Sequence, residues 1–351
     1  MKKILYVFFA LSLLFLSCSK NSEVKIGKIA IVYSGNIGGK STPCGCKPPM
    51  GGFARRSTVI NSIRGEYDNV LVVDSGALLY SSNFLIAPYD YIHRLNAAMS
   101  ARAVDMTGID AVNVSSYDLA NSVDSLLTIE KATSYPWLSS NLAFKKSGEL
   151  VFQPGTVISK GDIRIGIFGI MSDNFMGAPI FKDDSSLRVL DFIETAENEV
   201  SKLKKESDLI VALAYLSKNE MKKLSESVPD IDIIIHSHNG YHSATSEHDA
   251  FTPIKNDKTL ILRCPDGGRV IGCVELKIVN NSTDFTEVSL PVDYIQEKKD
   301  EKTDTADNKE STFMNYFIDL GPEIVSDSVI KEKIDIVERI KQAYRNNVEL
   351  E

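Results

Sequence analysis

The chain has 351 residues, of which 43% are hydrophobic, 25% charged and 8% aromatic, a mix that builds packed cores and excludes a mainly disordered chain or a polytopic membrane protein. Its length accommodates one large or two modest domains and excludes a peptide-sized module. Thirty-nine basic residues against 47 acidic ones give a net charge of −8, so a nucleic acid polymer is an unfit partner.

In chain order, residues 1–17 read as a secretion signal, because Lys2 and Lys3 precede an apolar run, Ile4 to Leu16, that is too short to span a bilayer. The residues that follow, Phe15-Leu16-Ser17-Cys18-Ser19, resemble the lipobox of bacterial lipoproteins, although Phe15 stands where an aliphatic residue is usual. The resemblance implies cleavage before Cys18 and acylation of Cys18. The protein is then held to a membrane of the bacterial cell envelope, on its periplasmic or surface side, through a tether over residues 18–25. An ordinary leader with Cys18 incidental is the alternative.

Apolar, β-rich runs at Lys28 to Val32, Val70 to Val73, Ile163 to Ile170, Leu209 to Leu216, Ile231 to Ile235, Thr259 to Leu262 and Val270 to Val279 predict buried strands. Phe192, Ala196, Val200 and Leu203 recur at helical spacing and lead into the strand at Leu209, and a helix around Asn219 to Ser227 leads into Ile231 to Ile235. Alternation of this kind predicts an α/β body over residues 26–295. The last run follows with no intervening helix, which suggests an antiparallel strand. Residues 296–312 are charged and carry no large aliphatic side chain, so they read as a solvated linker. Beyond them, 313–351 reads as a C-terminal helical segment with an apolar stripe of Ile330, Ile334, Val337, Ile340 and Tyr344, and Ser326, Asp327 and Ser328 are its candidate N-caps.

Several segments in order are similar to the metallophosphoesterase domain of 5'-nucleotidases and periplasmic UDP-sugar hydrolases. They are Gly51-Gly52-Phe53-Ala54-Arg55-Arg56, Val70 to Gly76, Asp110-Ala111-Val112, Tyr135 to Leu142, Gly161 to Gly169 and Asp232 to His238. The resemblance implies a four-layer α/β/β/α sandwich, here with a C-terminal helical appendage. It also implies a two-metal site, most of whose ligand positions differ in this chain. The family's Asp-x-His falls on Asn36-Ile37-Gly38, its bridging aspartate on Ala77, its Gly-Asn-His-Glu on Ser115-Ser116-Tyr117-Asp118 and a further histidine on Tyr215. Asp74 remains, and of Gly-His-x-His only His238 stays in place. Without the bridging carboxylate two dications would repel strongly. The expected cofactor is therefore none, or a single divalent metal, zinc or manganese.

Five cysteines in this length are too few for a disulfide framework, so each is read by itself. Cys44-Gly45-Cys46 is the most pointed feature left. Such a pair forms a disulfide strained by its short ring, and hence readily reduced, or binds a soft metal, or simply stiffens a loop. Cys264 and Cys273 flank Gly267 and Gly268, an expected hairpin turn, and either pair across it or stay buried. His236, His238, His242 and His248 cluster, and His236 and His238 are candidate metal ligands with Cys44 or Cys46. A solvated histidine-rich loop is the alternative. Arg55 and Arg56, after the glycines, are candidate anion-binding residues at a helix start, or else a surface salt bridge and a fold support. The expected function is that of a lipid-anchored, noncatalytic binding or thiol-redox protein. Its partners are the membrane, a nucleotide or phosphate-like ligand, or a redox partner. A phosphoester or nucleotide hydrolase with a reduced metal set is the alternative.

Overall fold

The computed structural model describes residues 26–173, 186–238, 253–256, 258–264, 267–279, 282–283, 288–289 and 313–348. The expected leader (1–17), Cys18, the tether (18–25) and the linker (296–312) lie outside the described residues, as do His242 and His248.

The first half of the chain runs β1 (Ile26–Ser34), α1 (Phe53–Glu66), β2 (Val70–Asp74), α2 (Asp90–Met106), β3 (Ala111–Asn113), α3 (Val123–Ala132), β4 (Trp137–Leu138), β5 (Leu142–Phe144), β6 (Gly155–Lys160) and β7 (Ile163–Met171). The second half runs β8 (Leu187–Val189), α4 (Phe192–Leu203), β9 (Leu209–Tyr215), α5 (Lys218–Ser227), β10 (Ile233–Ser237), β11 (Ile254–Asn256), β12 (Thr259–Arg263), β13 (Val270–Val279), β14 (Ser282–Thr283), β15 (Val288–Ser289), β16 (Phe313–Asp319) and α6 (Ser328–Val348).

Every residue of β2, β9 and β10 is buried, so these strands are covered on both faces, as parallel sheets require. One sheet has the order β15-β16-β13-β1-β2-β3-β4, with β14 on β13; the other has the order β11-β12-β10-β9-β7-β6. Strands β1 to β4 are parallel in the first, and β7, β9, β10 and β12 in the second. Alternating side chains sort each strand between two cores. Ile29, Ile31 and Tyr33 of β1 and Leu71 and Val73 of β2 meet Ile165, Ile167, Val211, Leu213, Ile233 and Ile235 between the sheets. Their neighbours Ala30, Val32, Val70 and Val72 turn outward onto Val59, Ile60 and Ile63 of α1. On the far side, Phe168, Ile170, Ile210 and Ala212 carry α4 and α5 through Phe192, Ala196, Val200, Met221 and Leu224. The result is the expected α/β/β/α order of layers.

β13 is antiparallel to β1 from Ile26↔Val279 to Tyr33↔Gly272, as the missing helix before it suggested. The segment expected to be helical from residue 313 begins instead with β16, paired antiparallel with β13 from Val270↔Asp319 to Leu276↔Phe313. Its β-rich run Phe313-Met-Asn-Tyr-Phe-Ile extends the sheet and roots α6 in the body. Asp327 caps α6, its Oδ1 accepting from the backbone N–H groups of Val329 (3.0 Å) and Ile330 (3.2 Å). Ile330 and Ile334 are buried, and α6 packs on α1 and α2. The hairpin expected at Gly267 and Gly268 does not form, because β12 belongs to one sheet and β13 to the other. The turn crosses between sheets, leaving Cys264 in the inter-sheet core and Cys273 on the α1 side, both as buried thiols. Among the described residues no helix is long and apolar enough to cross a membrane.

Candidate functional site

The carboxyl ends of the parallel strands in both sheets converge on one buried cluster, the place where loops diverge and α/β folds build their sites. β1 ends at Ser34 and continues through Gly35 and Asn36; β2 ends at Asp74 and continues through Ser75, Gly76 and Ala77. The two loops are laced together, since Ser75 N–H donates to Ser34 O (2.8 Å) and Asn36 N–H to Gly76 O (2.9 Å). Asn36 and Ala77 hold φ of +53° and +56°, a left-handed conformation that non-glycine residues keep only when their surroundings hold them there. The second sheet closes on the same point. Ser237 Oγ, from β10, donates to Ser75 O (3.0 Å), and Ser75 Oγ lies 3.2 Å from the Cys264 Sγ that follows β12. No side chain could be added between them, because a Cβ on Gly35 would come within 2.5 Å of Ser75 Oγ and 2.8 Å of Ser237 Cβ.

Asp74 is fully buried under this cluster. Its Oδ2 accepts from Ser34 Oγ (2.7 Å) and its Oδ1 from Gly76 N–H (3.0 Å). Burial pushes its carboxyl up to about 6, while those two bonds and the Arg56 charge oppose the rise. Arg56 is itself 5% exposed, and burial pulls its guanidinium down to about 10 against the attraction of Asp74. Asp118, also buried, clamps two loops: it accepts from the backbone N–H groups of Ala77 (3.0 Å), Leu79 (2.9 Å) and Ser115 (3.0 Å), and from Ser115 Oγ (2.7 Å). Desolvation raises its pKa as well. All four acceptor contacts hold loop backbone or a loop hydroxyl, so Asp118 sets the shape of the β2 and β3 loops. Tyr117 and Tyr215 face each other with ring centroids 5.9 Å apart.

Among the candidates from sequence, Cys44 and Cys46 are joined in a disulfide, with Cα atoms 5.3 Å apart. Cys44 N–H donates to Met50 O (2.8 Å), and nothing lies within 4 Å of a Cβ placed on Gly45, so the loop is fixed at its base and open at its tip. Arg55 Nη1 donates to Pro49 O (2.6 Å) and Leu320 O (3.2 Å), tying the cysteine loop to the end of β16. Arg56 reaches Val270 O (3.5 Å). His236 is buried, with Nε2 2.8 Å from Leu216 O; a carbonyl only accepts, so Nε2 carries the proton. Burial lowers its pKa to about 3. His238, just past the end of β10, has its ring centroid 6.4 Å from that of His236, and desolvation lowers its pKa too. Among the described residues no three His, Cys, Asp or Glu side chains are grouped to hold a metal ion, so His236 and His238 are not joined by Cys44 or Cys46 in one ligand set. The contact of Ser75 with Cys264 and Ser237 carries no sequence signature; small residues at several strand ends were the available hint.

No family model matches the chain. It is 22% identical over 271 residues to the 5'-nucleotidase of Vibrio vulnificus (strain CMCP6), covering 68% of this chain and 47% of that protein. The 5'-nucleotidase precursor of Thermus thermophilus superposes with a TM-score of 0.70 at 18% identity, covering 90% of this chain and 59% of the other. The calcineurin-like phosphoesterase YfkN of Bacillus subtilis does so with a TM-score of 0.67 at 16% identity, covering 91% and 99%. The chain is thus similar in sequence to 5'-nucleotidases and shares the layered fold of 5'-nucleotidases and calcineurin-like phosphoesterases. It spans about half the length of curated relatives that match it over most of its body. Two-metal hydrolysis needs anionic ligands between and around the ions. The strand ends here supply two buried carboxylates, Asp74 already bonded to Ser34 and Gly76 and Asp118 already bonded to Ala77, Leu79 and Ser115, beside Ser75, Tyr117, Tyr215 and Cys264. That donor set does not fit a two-metal centre.

Proposed function

We propose that this protein is a lipid-anchored member of the family in the cell envelope, that its two-metal site is degenerate, and that it acts through the Cys44–Cys46 loop as a thiol-redox protein without hydrolysing phosphoesters. The observation that carries the reading is the closed cluster of Ser34, Asp74, Ser75, Ser237 and Cys264, whose polar groups bond to one another at the strand ends. The disulfide supports it from the other side, because its tip is open to an approaching thiol. Exchange would run as a thiolate of a reduced partner attacking one sulfur, the other leaving with the bonding electron pair. A second partner thiol then resolves the mixed disulfide. The partner ends as a disulfide, and two electrons and two protons remain on Cys44 and Cys46.

Two assays on the purified protein test this. Hydrolysis of a generic phosphoester and of a nucleotide, with manganese or zinc supplied, is expected to stay at background. Differential alkylation with peptide mapping is expected to show Cys44 and Cys46 reduced by mild dithiol while the domain stays folded. Turnover that disappears in His238→Ala would establish the hydrolase instead. Thiols that resist reduction until the fold melts would leave the disulfide a structural staple.

A further inference from the structure

Five segments line a cleft of about 610 Å³: the loop from Gly38 to Gly45, Ser81 in the loop after β2, α2, the turn at Gly267 and α6. A volume of this order suits a small molecule. Among the described residues its charged lining is Lys40, Arg269 and Lys341, with His93 beside them, in a chain that is acidic as a whole. Lys341 is 5% exposed, its ammonium held 2.5 Å from Glu338 Oε1, so its position is fixed. Lys40 lies across the turn, close enough that a Cβ on Gly267 would stand 3.0 Å from its Nζ. Asn96 points a buried Oδ1 with no hydrogen-bond partner. Cys44, but not Cys46, lines the same cleft.

We propose that this cleft selects the reductant of the disulfide: an anionic low-molecular-weight thiol, held by its carboxylates against Lys40, Arg269 and Lys341 with its sulfur directed at Cys44. The inference rests on the thiol-redox reading above and names its substrate class. The thiolate attacks Cys44 Sγ, the Cys44–Cys46 bond breaks, and Cys46 leaves as a thiolate that takes a proton from solvent. A second molecule of the same thiol attacks the ligand sulfur of the mixed disulfide, releasing Cys44 as a thiol and the oxidised ligand as its symmetric disulfide. Charge–charge attraction to this lining, in which Lys341 is already paired with Glu338, raises the local concentration of such a ligand and weakens as salt rises.

The test compares mercaptosuccinate, a thiol with two carboxylates, with the neutral thioglycerol, on the full-length protein. The rate of disulfide opening is read by alkylation and mass, corrected to equal thiolate concentration. Mercaptosuccinate is expected to react about tenfold faster or more, with saturation, and to lose that advantage at high salt and in Lys40→Gln. Lys40 is exposed, so this variant folds, and Arg269→Gln should act in the same direction. If both thiols open the disulfide at matched rates, or Lys40→Gln leaves the preference intact, the cleft does not select the thiol and the redox reading survives alone. If neither thiol opens it in the folded protein, the redox reading itself falls.

Discussion

At the scale of single residues, His236 and Asp74 show how burial at the strand ends becomes pH dependence, with opposite signs. The folded pKa of His236 is about 3, below the ordinary value near 6.5 that it regains on unfolding. Between those values the unfolded chain binds a proton that the folded chain does not, so this contribution is complete above about pH 6.5 and is lost as pH falls. At pH 5 the loss is about 2 kcal/mol, one and a half units at about 1.4 kcal/mol each. His236→Gln keeps an N–H to offer to Leu216 O and cannot titrate. Denaturant unfolding at pH 7 and pH 5 should therefore show the wild type losing about 2 kcal/mol more than the variant. Asp74 runs the other way. Its folded value of about 6 lies above the unfolded one, so its contribution falls as pH rises from about 4 to 6, by about 3 kcal/mol at most. The stability of wild type relative to Asp74→Asn should decline across that window. A flat difference would mean that the buried carboxyl titrates as an exposed one does.

At the scale of elements, legibility followed burial and length. The long strands β1, β2, β7, β9, β10, β12 and β13 each carry an apolar, β-rich run that is legible in the sequence, even where Arg164, Glu275 or Lys277 interrupts it. β3, β4, β5 and β8 have two or three residues each, too few for any period to show. α2 had no reading of its own, although Ile92, Ala97, Met99, Ala101 and Val104 are buried. The small residues among them blur the stripe. α6 was visible by its stripe, and of its three candidate caps the structure selects Asp327. That carboxylate also accepts from Ser57 Oγ of α1 at 2.9 Å, so one side chain starts α6 and fastens it to the body. Asp327→Ala is expected to cost about 1 to 2 kcal/mol, with Asp327→Asn recovering part of it, as read from thermal unfolding. At the site the same logic holds. Asp74 is legible as the carboxylate that remains of the family's ligand pattern, whereas the Ser75–Cys264 contact joins residues 189 apart in sequence and exists only once two sheets close on each other.

At the scale of the whole molecule, the layered body and its proposed anchor make a geometric claim. In the proposed anchored form, residues 18–25 would join an acylated Cys18 to β1, which starts at Ile26 in the first sheet. An extended chain covers about 3.3 to 3.6 Å per residue, so a tether of this length holds the start of β1 within roughly 30 Å of the bilayer. In this reading the acyl chains on Cys18 supply the hold, and more than one chain is needed for stable attachment. The protein should then sediment with membranes, and Cys18→Ala should move it to the soluble fraction with its fold and its disulfide unchanged. Intact-mass analysis of the membrane-bound form should give a chain starting at Cys18 with added acyl mass. A chain that starts elsewhere without acylation, or a Cys18→Ala variant that still sediments, would remove the anchor and leave the attachment to another surface of the protein.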